Sequence, residues 1–312
     1  MELWGGLYDS VLSVAVDGTE FVNQDPMFAR LQQIEKCRTR EEVNVILAQI
    51  SENERNRMNS PLLDLLFNAN DIEKVARSDA KHVEFLLDRG MVDSLYDLMY
   101  RACSVGNREV VAMLIDQGFD IHAGNDWALQ RAAANGHKEV VGFLLQRGAN
   151  LHADNDLALR MAASNGHKNV VELLLDRACD IHACNDWALT EAAAFGHKEV
   201  VELLLQRGAN LHAEDDYALQ RAAASGRKEV VELLLQRGAS IHAENDMALR
   251  WAAAHGHKDV VDLLLDRGAD LHARNDFPLF SASAMGHKEM VELLLRRGAN
   301  PTRLYPSYTL PS

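Results

Sequence analysis

Apolar residues fall into short clusters spaced at three and four, separated by brief polar turns, and from residue 125 onward the clusters keep a fixed register. In the stretch from Asn125 to Asp154, Ala128, Ala132 and Ala133 share one face of a helix predicted over Trp127 to Ala134. Asp126 stands before it as an N-cap. Asn135-Gly136 breaks the pattern, and Val140, Val141, Leu144 and Leu145 then mark a second helix over Lys138 to Gln146. Gly148 closes that helix by supplying the left-handed residue favoured at helix C-termini. Leu151-His152-Ala153 reads as an extended return to the next Asn-Asp.

Almost the same string restarts at Asn155, Asn185, Asp215, Asn245 and Asn275, a period of 30 residues. Helices of this length are marginal in water alone. A fixed period of this size therefore predicts a stack in which each unit buries its apolar face against the next. Within the unit, Ala132-Ala133, Gly136-His137, Val140-Val141, Leu144-Leu145 and Gly148-Ala149 resemble the ankyrin repeat. Trp127-Ala128-Leu129-Gln130 stands where that family has Thr-Pro-Leu-His, and three residues are missing between Ala123 and Trp127. The shortening resembles the 30-residue ankyrin variants of giant viruses and some microbial eukaryotes. The resemblance implies an all-α ankyrin-type solenoid of helix-turn-helix repeats with shortened hairpin fingers, and a protein-binding module without catalysis.

Residues 1–63 lack the period and read as a mostly helical segment that caps the stack. Asp17-Gly18 suggests a small hairpin across residues 11–22. Helices are predicted over Pro26 to Cys37, over Glu41 to Ile50 behind a Thr39/Glu42 capping box, and from Leu62 to Phe67. The repeat array then occupies residues 64–304. It comprises about eight units, the first two divergent, with Val83 to Gly90 matching a second helix and its glycine. Residues 305–312 form a proline-bearing tail.

Composition narrows the partner. The formal net charge of −14 opposes binding to nucleic acid or to an anionic membrane. A basic or apolar protein partner fits better. No apolar run is long enough to span a bilayer. The first twenty residues lack Lys and Arg, and the four cysteines have no disulfide framework. These features predict an intracellular, cytoplasmic protein.

Because the units are copies, positions that vary among them are not dictated by the fold. The seventh and eleventh residues lie four apart on the first helix and face the same way. They read Arg131/Asn135, Met161/Asn165, Glu191/Phe195, Arg221/Ser225, Trp251/His255 and Ser281/Met285. In ankyrin-like stacks that helix lines the concave groove. The sixth residue varies too, as Gln130, Arg160, Thr190, Gln220, Arg250 and Phe280. The expected partner-binding set is therefore Arg131, Met161, Glu191, Phe195, Arg221, Arg250, Trp251, His255, Phe280 and Met285. Within it, Trp251, His255, Phe280 and Met285 are expected to make one apolar patch, with Arg221 and Arg250 beside it and Glu214 and Glu244 as an acidic rim.

Other rows point to structure. The third residues, from Trp127 to Phe277, suggest a packing ladder. The histidines at His122, His152, His182, His212, His242 and His272 recur at a spacing of about 8–10 Å, whereas ligands sharing a zinc each lie about 2 Å from it. They cannot share a metal. The His after the inter-helix glycine, such as His137 or His197, matches a family position that makes structural hydrogen bonds, and Arg227 replaces it once.

Cys179, His182 and Cys184 are the sharpest metal alternative, but they lack a fourth ligand and the usual paired spacing. No metal, cofactor or catalytic residue is expected. Two alternatives stay open: a host-directed effector or viral antagonist using the same groove, and an enzymatic or metal activity in residues 1–63 or the Cys179 turn.

Overall fold

The structure is a computed structural model that describes residues 30, 33–34, 36–50, 65–66 and 68–305. The described residues are all-helical: seventeen α-helices, one short 3-10 turn and no strand. The chain divides into two compact units, residues 1–121 and 122–312. The hairpin expected at residues 11–22 lies outside the described residues, as does most of the expected helix at 26–37 and of that beginning at Leu62.

In the first unit, α1 (Arg40–Leu47) opens on the capping box expected at Thr39 and Glu42. Two helix pairs follow, α2 (Ile72–Ala76) with α3 (Ala80–Asp88) and α4 (Leu95–Val105) with α5 (Arg108–Asp116). Each starts on a side chain that accepts from its own first turn: Asp71, Asp79, Ser94 and Asn107. The pairs pack α2 on α4 and α3 on α5, burying Val83, Leu86, Leu98, Met99, Ala102 and Val111.

The second unit repeats one helix pair six times. Its inner helices are α6 (Ala123–Ala134), α8 (Leu157–Ser164), α10 (Ala183–Phe195), α12 (Tyr217–Ala224), α14 (Ala243–Ala254) and α16 (Ala273–Ala284). Its outer helices are α7 (Lys138–Gln146), α9 (Lys168–Asp176), α11 (Lys198–Gln206), α13 (Lys228–Gln236), α15 (Lys258–Asp266) and α17 (Lys288–Arg296). Inner helices pack side by side in chain order, through the small faces of Ala128, Ala132, Ala158, Ala162 and their counterparts, which let backbones approach closely. Outer helices pack behind them through Val140, Val141, Leu144 and their equivalents, all fully buried. Each such leucine contributes about 1.5–3 kcal/mol of burial.

The connection between repeats departs from the extended return expected of Leu151-His152-Ala153. His122, His182, His242 and His272 are near-helical, with φ close to −90° and ψ close to 0°. Three consecutive left-handed residues follow in every repeat, such as Asp154, Asn155 and Asp156 at φ 51°, 54° and 56°. The finger is thus reduced to one left-handed turn. Three missing residues leave too little chain for a hairpin, and the reversal is made by positive φ instead. Left-handed conformations cost roughly 1–2 kcal/mol for ordinary residues and least for Gly, Asn and Asp, which explains Asn-Asp or Asp-Asp at the second and third places.

The Asp at the third place is not the N-cap of its own helix; Asp156 and Asp216 make no capping hydrogen bond there. It is buried, about 4–6% exposed in every repeat, and it reaches both ways. Asp186 Oδ1 lies 3.1 Å from Nδ1 of His182, which ends the preceding unit, and accepts from the Asn210 amide at 2.7 Å, in the last turn of its own unit. The same pattern runs from His122, Asp126 and Asn150 to His272, Asp276 and Asn300. At Asn300 the 3-10 turn Pro301–Arg303 takes the place of another repeat. Tyr305 then accepts a place over Phe280, with ring centroids 5.5 Å apart.

Candidate functional site

The inner helices of the second unit present the residues expected to bind a partner, and the geometry sorts them. Position six belongs to the turn. Gln130 Nε2 donates to the Asn125 carbonyl at 2.8 Å, and Gln220 Nε2 to that of Asp215 at 2.7 Å. Arg160 and Arg250 each use Nε and Nη2 on two turn carbonyls. Arg250 is only 4% exposed, so it supports the left-handed turn instead of facing solvent. Burial, with Arg274 nearby, pulls its pKa below the usual value.

Phe280, at the same position of the last repeat, packs against Phe277 at 6.0 Å and against Tyr305. It sits at the turn end of α16. Met285 lies five residues on, about 7.5 Å along the helix axis. Of the patch expected from Trp251, His255, Phe280 and Met285, Phe280 packs into the C-terminal aromatic cluster with Phe277 and Tyr305.

On the inner-helix face, Trp251 is half-buried and stands edge-on to Tyr217 of the preceding repeat, with centroids 6.2 Å apart. Arg221 pairs with Glu191 across repeats at 3.5 Å and lies 5.8 Å from the Tyr217 ring centroid. Met161 is exposed and Arg131 is half-buried. Phe195 is 49% exposed and Met285 66% exposed.

Position eleven has a local use in three repeats: Asn135, Asn165 and His255 hydrogen-bond the carbonyl of residue seven at 2.8 Å. Phe195, Ser225 and Met285 make no such bond. The third residues behave as the expected packing ladder, half-buried from Trp127 to Met247, with Phe277 exposed at the end.

The histidine after the inter-helix glycine is structural, as expected. His167 and His197 bond the Ala134 and Ser164 carbonyls through Nε2 at 2.9 Å. His257 and His287 bond Ala224 and Ala254 at 3.0 Å. Each ring from His167 to His257 lies over the glycine of the preceding repeat; a Cβ on Gly136 would come within 2.5 Å of His167. Arg227 makes the corresponding bond to Ala194 with Nε at 3.2 Å.

At the Cys179 turn the thiol serves a hydrogen bond. The Cys179 thiol donates to Asp156 Oδ1 at 2.9 Å. Burial, and then that hydrogen bond and charge, push its pKa far above the usual thiol value. His182 faces Asp186, and Cys184 is exposed. Among the described residues no group of three His, Cys, Asp or Glu side chains converges as metal ligands.

In the first unit, a cleft of about 250 Å³ is lined by Arg40, Asn44, Leu47, Ala48, Leu66, Ala69, Asn70 and Met91. Arg40, which meets Asp93 and Asn70, is the one charged group in that lining. Among the described residues that line it there is no carboxylate, imidazole or thiol.

A family model described as ankyrin repeats, three copies, matches the chain over residues 72–155, 98–185, 129–215, 159–245 and 219–304. The chain belongs to the ankyrin repeat family. Among solved structures it is similar to the human ASB11 ankyrin repeat domain. That domain is 27% identical, has a TM-score of 0.56, and covers 65% of this chain and 98% of its own. No curated protein matches. Ankyrin repeats are generally non-catalytic protein-interaction modules, and no described helix of this ankyrin repeat chain is long and apolar enough to cross a membrane.

Proposed function

We propose that the second unit binds a protein partner across the exposed face of its inner helices, without catalysis, and that Phe195, Arg221, Trp251, His255 and Met285 carry the contact. What supports this reading most is the exposure of large apolar groups on a face whose other positions serve the fold. Phe195 and Met285 are 49% and 66% exposed at a position that three other repeats use for a helix-end hydrogen bond. Trp and Arg are the residue types that most often dominate binding energy. Glu191, paired with Arg221, and Arg131 and Met161 complete the face, and Arg250 and Phe280 hold its turn edge.

Affinity capture with mass spectrometry supplies a candidate partner, and calorimetry on two variants then tests the face. Trp251→Ala is expected to weaken binding by about 2 kcal/mol. Lys198→Ala, on the exposed side of an outer helix, is expected to leave affinity unchanged. Equal affinities for both variants would place recognition elsewhere.

A further inference from the structure

Three departures from the array's own usage meet in two consecutive repeats. At position eleven, Phe195 and Ser225 both give up the helix-end hydrogen bond that Asn135, Asn165 and His255 make. At position thirteen, Arg227 stands where the flanking repeats have His197 and His257.

The arginine keeps the histidine's structural duty. Its Nε donates to the Ala194 carbonyl, and its Cδ lies 2.9 Å from the point where a Cβ on Gly196 would stand, so the arm crosses the backbone beside Phe195. Unlike an imidazole, the guanidinium has two further nitrogens once Nε is committed. Arg227 is exposed, and among the described residues neither Nη has a hydrogen-bond or ion-pair partner. An uncommitted cation thus reaches back to Gly196, the residue after Phe195, whose 49% exposed ring stacks on His197 with centroids 6.4 Å apart, and Ser225 puts only a hydroxymethyl group at the equivalent place one repeat on. The histidines of the neighbouring repeats already satisfy the fold, so folding does not require the extra charge.

We infer that the Phe195, Ser225 and Arg227 cluster is a docking site for a peptide segment of a partner protein that carries a carboxylate side chain next to an apolar one. The carboxylate pairs with the two Nη groups of Arg227, a fork that matches carboxylate geometry. The apolar side chain enters over Ser225 against Phe195. The site rests on the inner-helix reading above and adds an anion to it, where composition alone favoured a basic partner.

The test is panning of the full chain against a displayed library of random twelve-residue peptides, followed by affinity measurement on enriched sequences. The expected outcome is enrichment of Asp or Glu beside a large apolar residue, with affinity that falls as salt rises. Arg227→His restores the array's own residue and its carbonyl bond, so it folds. It is expected to weaken those peptides about tenfold or more, and Phe195→Ala to weaken them as well, with unchanged circular dichroism in both.

Peptides that bind Arg227→His as tightly as the parent, or that lack an acidic position, would overturn the proposal. If those same peptides are lost on Trp251→Ala, the inner-helix reading survives that failure. If no sequence is enriched at all, both readings fall.

Discussion

The two units begin their helices in opposite ways. In the first unit, Thr39, Asp71, Asp79, Ser94 and Asn107 each accept a hydrogen bond from the first turn of the helix they precede. In the second, no helix of the six pairs has a side-chain cap of its own. The Asp that would cap the inner helix is turned left-handed and spent on the His that ends the repeat before and on an amide in the last turn of its own repeat. The His that precedes the outer helix is spent on a carbonyl of the repeat before. Local caps hold each helix by its own first turn, and of these five only Asn107 also reaches the pair before, donating to the Ala76 and Ser78 carbonyls. Caps traded between neighbours make each repeat a part of the next, which strengthens the interface coupling on which a stacked array depends.

Removing a whole repeat is the largest test of that contrast. Deleting Asp215 to Glu244 brings His212 into register with Asp246 and preserves the traded bonds at the new junction. We expect cooperative unfolding in urea with a smaller m-value, since less surface is exposed. A broad transition without cooperativity would break the account.

Next in size is a pair of substitutions. Asp186→Ala strands the Asn210 amide and loses a charged acceptor, and is expected to cost about 3 kcal/mol. Asp79→Ala removes a local cap from α3 and is expected to cost about 1 kcal/mol. Equal costs by urea denaturation would mean that the traded bond is no more than an ordinary cap.

Smaller again is the release of backbone strain. Ala178 sits at φ 66° where the other repeats have glycine, such as Gly148 at φ 97°. Ala178→Gly is expected to raise stability by up to about 1 kcal/mol, less the entropy returned to the unfolded chain. An unchanged or lower denaturation midpoint would contradict it. The smallest effect is expected at Glu244, left-handed at φ 50° in the place that Gly124 fills at φ 54°. Glu244→Gly is expected to add about 0.5 kcal/mol, measurable as a modest rise in Tm.

Much of this fold was legible because the signals were local. Val140, Val141 and Leu144 at helical spacing, bounded by Gly136 and Gly148, locate α7 at Lys138–Gln146, as expected. Thr39 with Glu42 located the start of α1 in the same way.

The turn was not legible, because Asn125-Asp126 before an apolar run is also the ordinary signature of a capped helix. Only the length of the connection reveals that the chain must reverse there. Arg250 was misleading for a related reason. Its position varies among Gln, Arg, Thr and Phe, which suggests freedom, yet Gln130, Arg160, Gln220 and Arg250 all donate to the turn carbonyls. In those four repeats a shared donor, not the residue identity, serves the turn, while Phe280 fills the same place with ring contacts instead. At the candidate site, Phe195 and Met285 were readable as large apolar groups in variable positions. Arg227 was not, since its meaning depends on knowing what the histidines around it do.

The Asp ladder also has a direction. Each buried carboxylate waits for an amide 24 residues further along the chain, as Asp186 waits for Asn210 and Asp246 for Asp270. A ribosome delivers residues in that same order, so a repeat leaving the exit tunnel holds an unsatisfied acid until its own last turn has emerged. Folding during synthesis is therefore expected to trail translation by most of a repeat, and each repeat is closed by the turn made last.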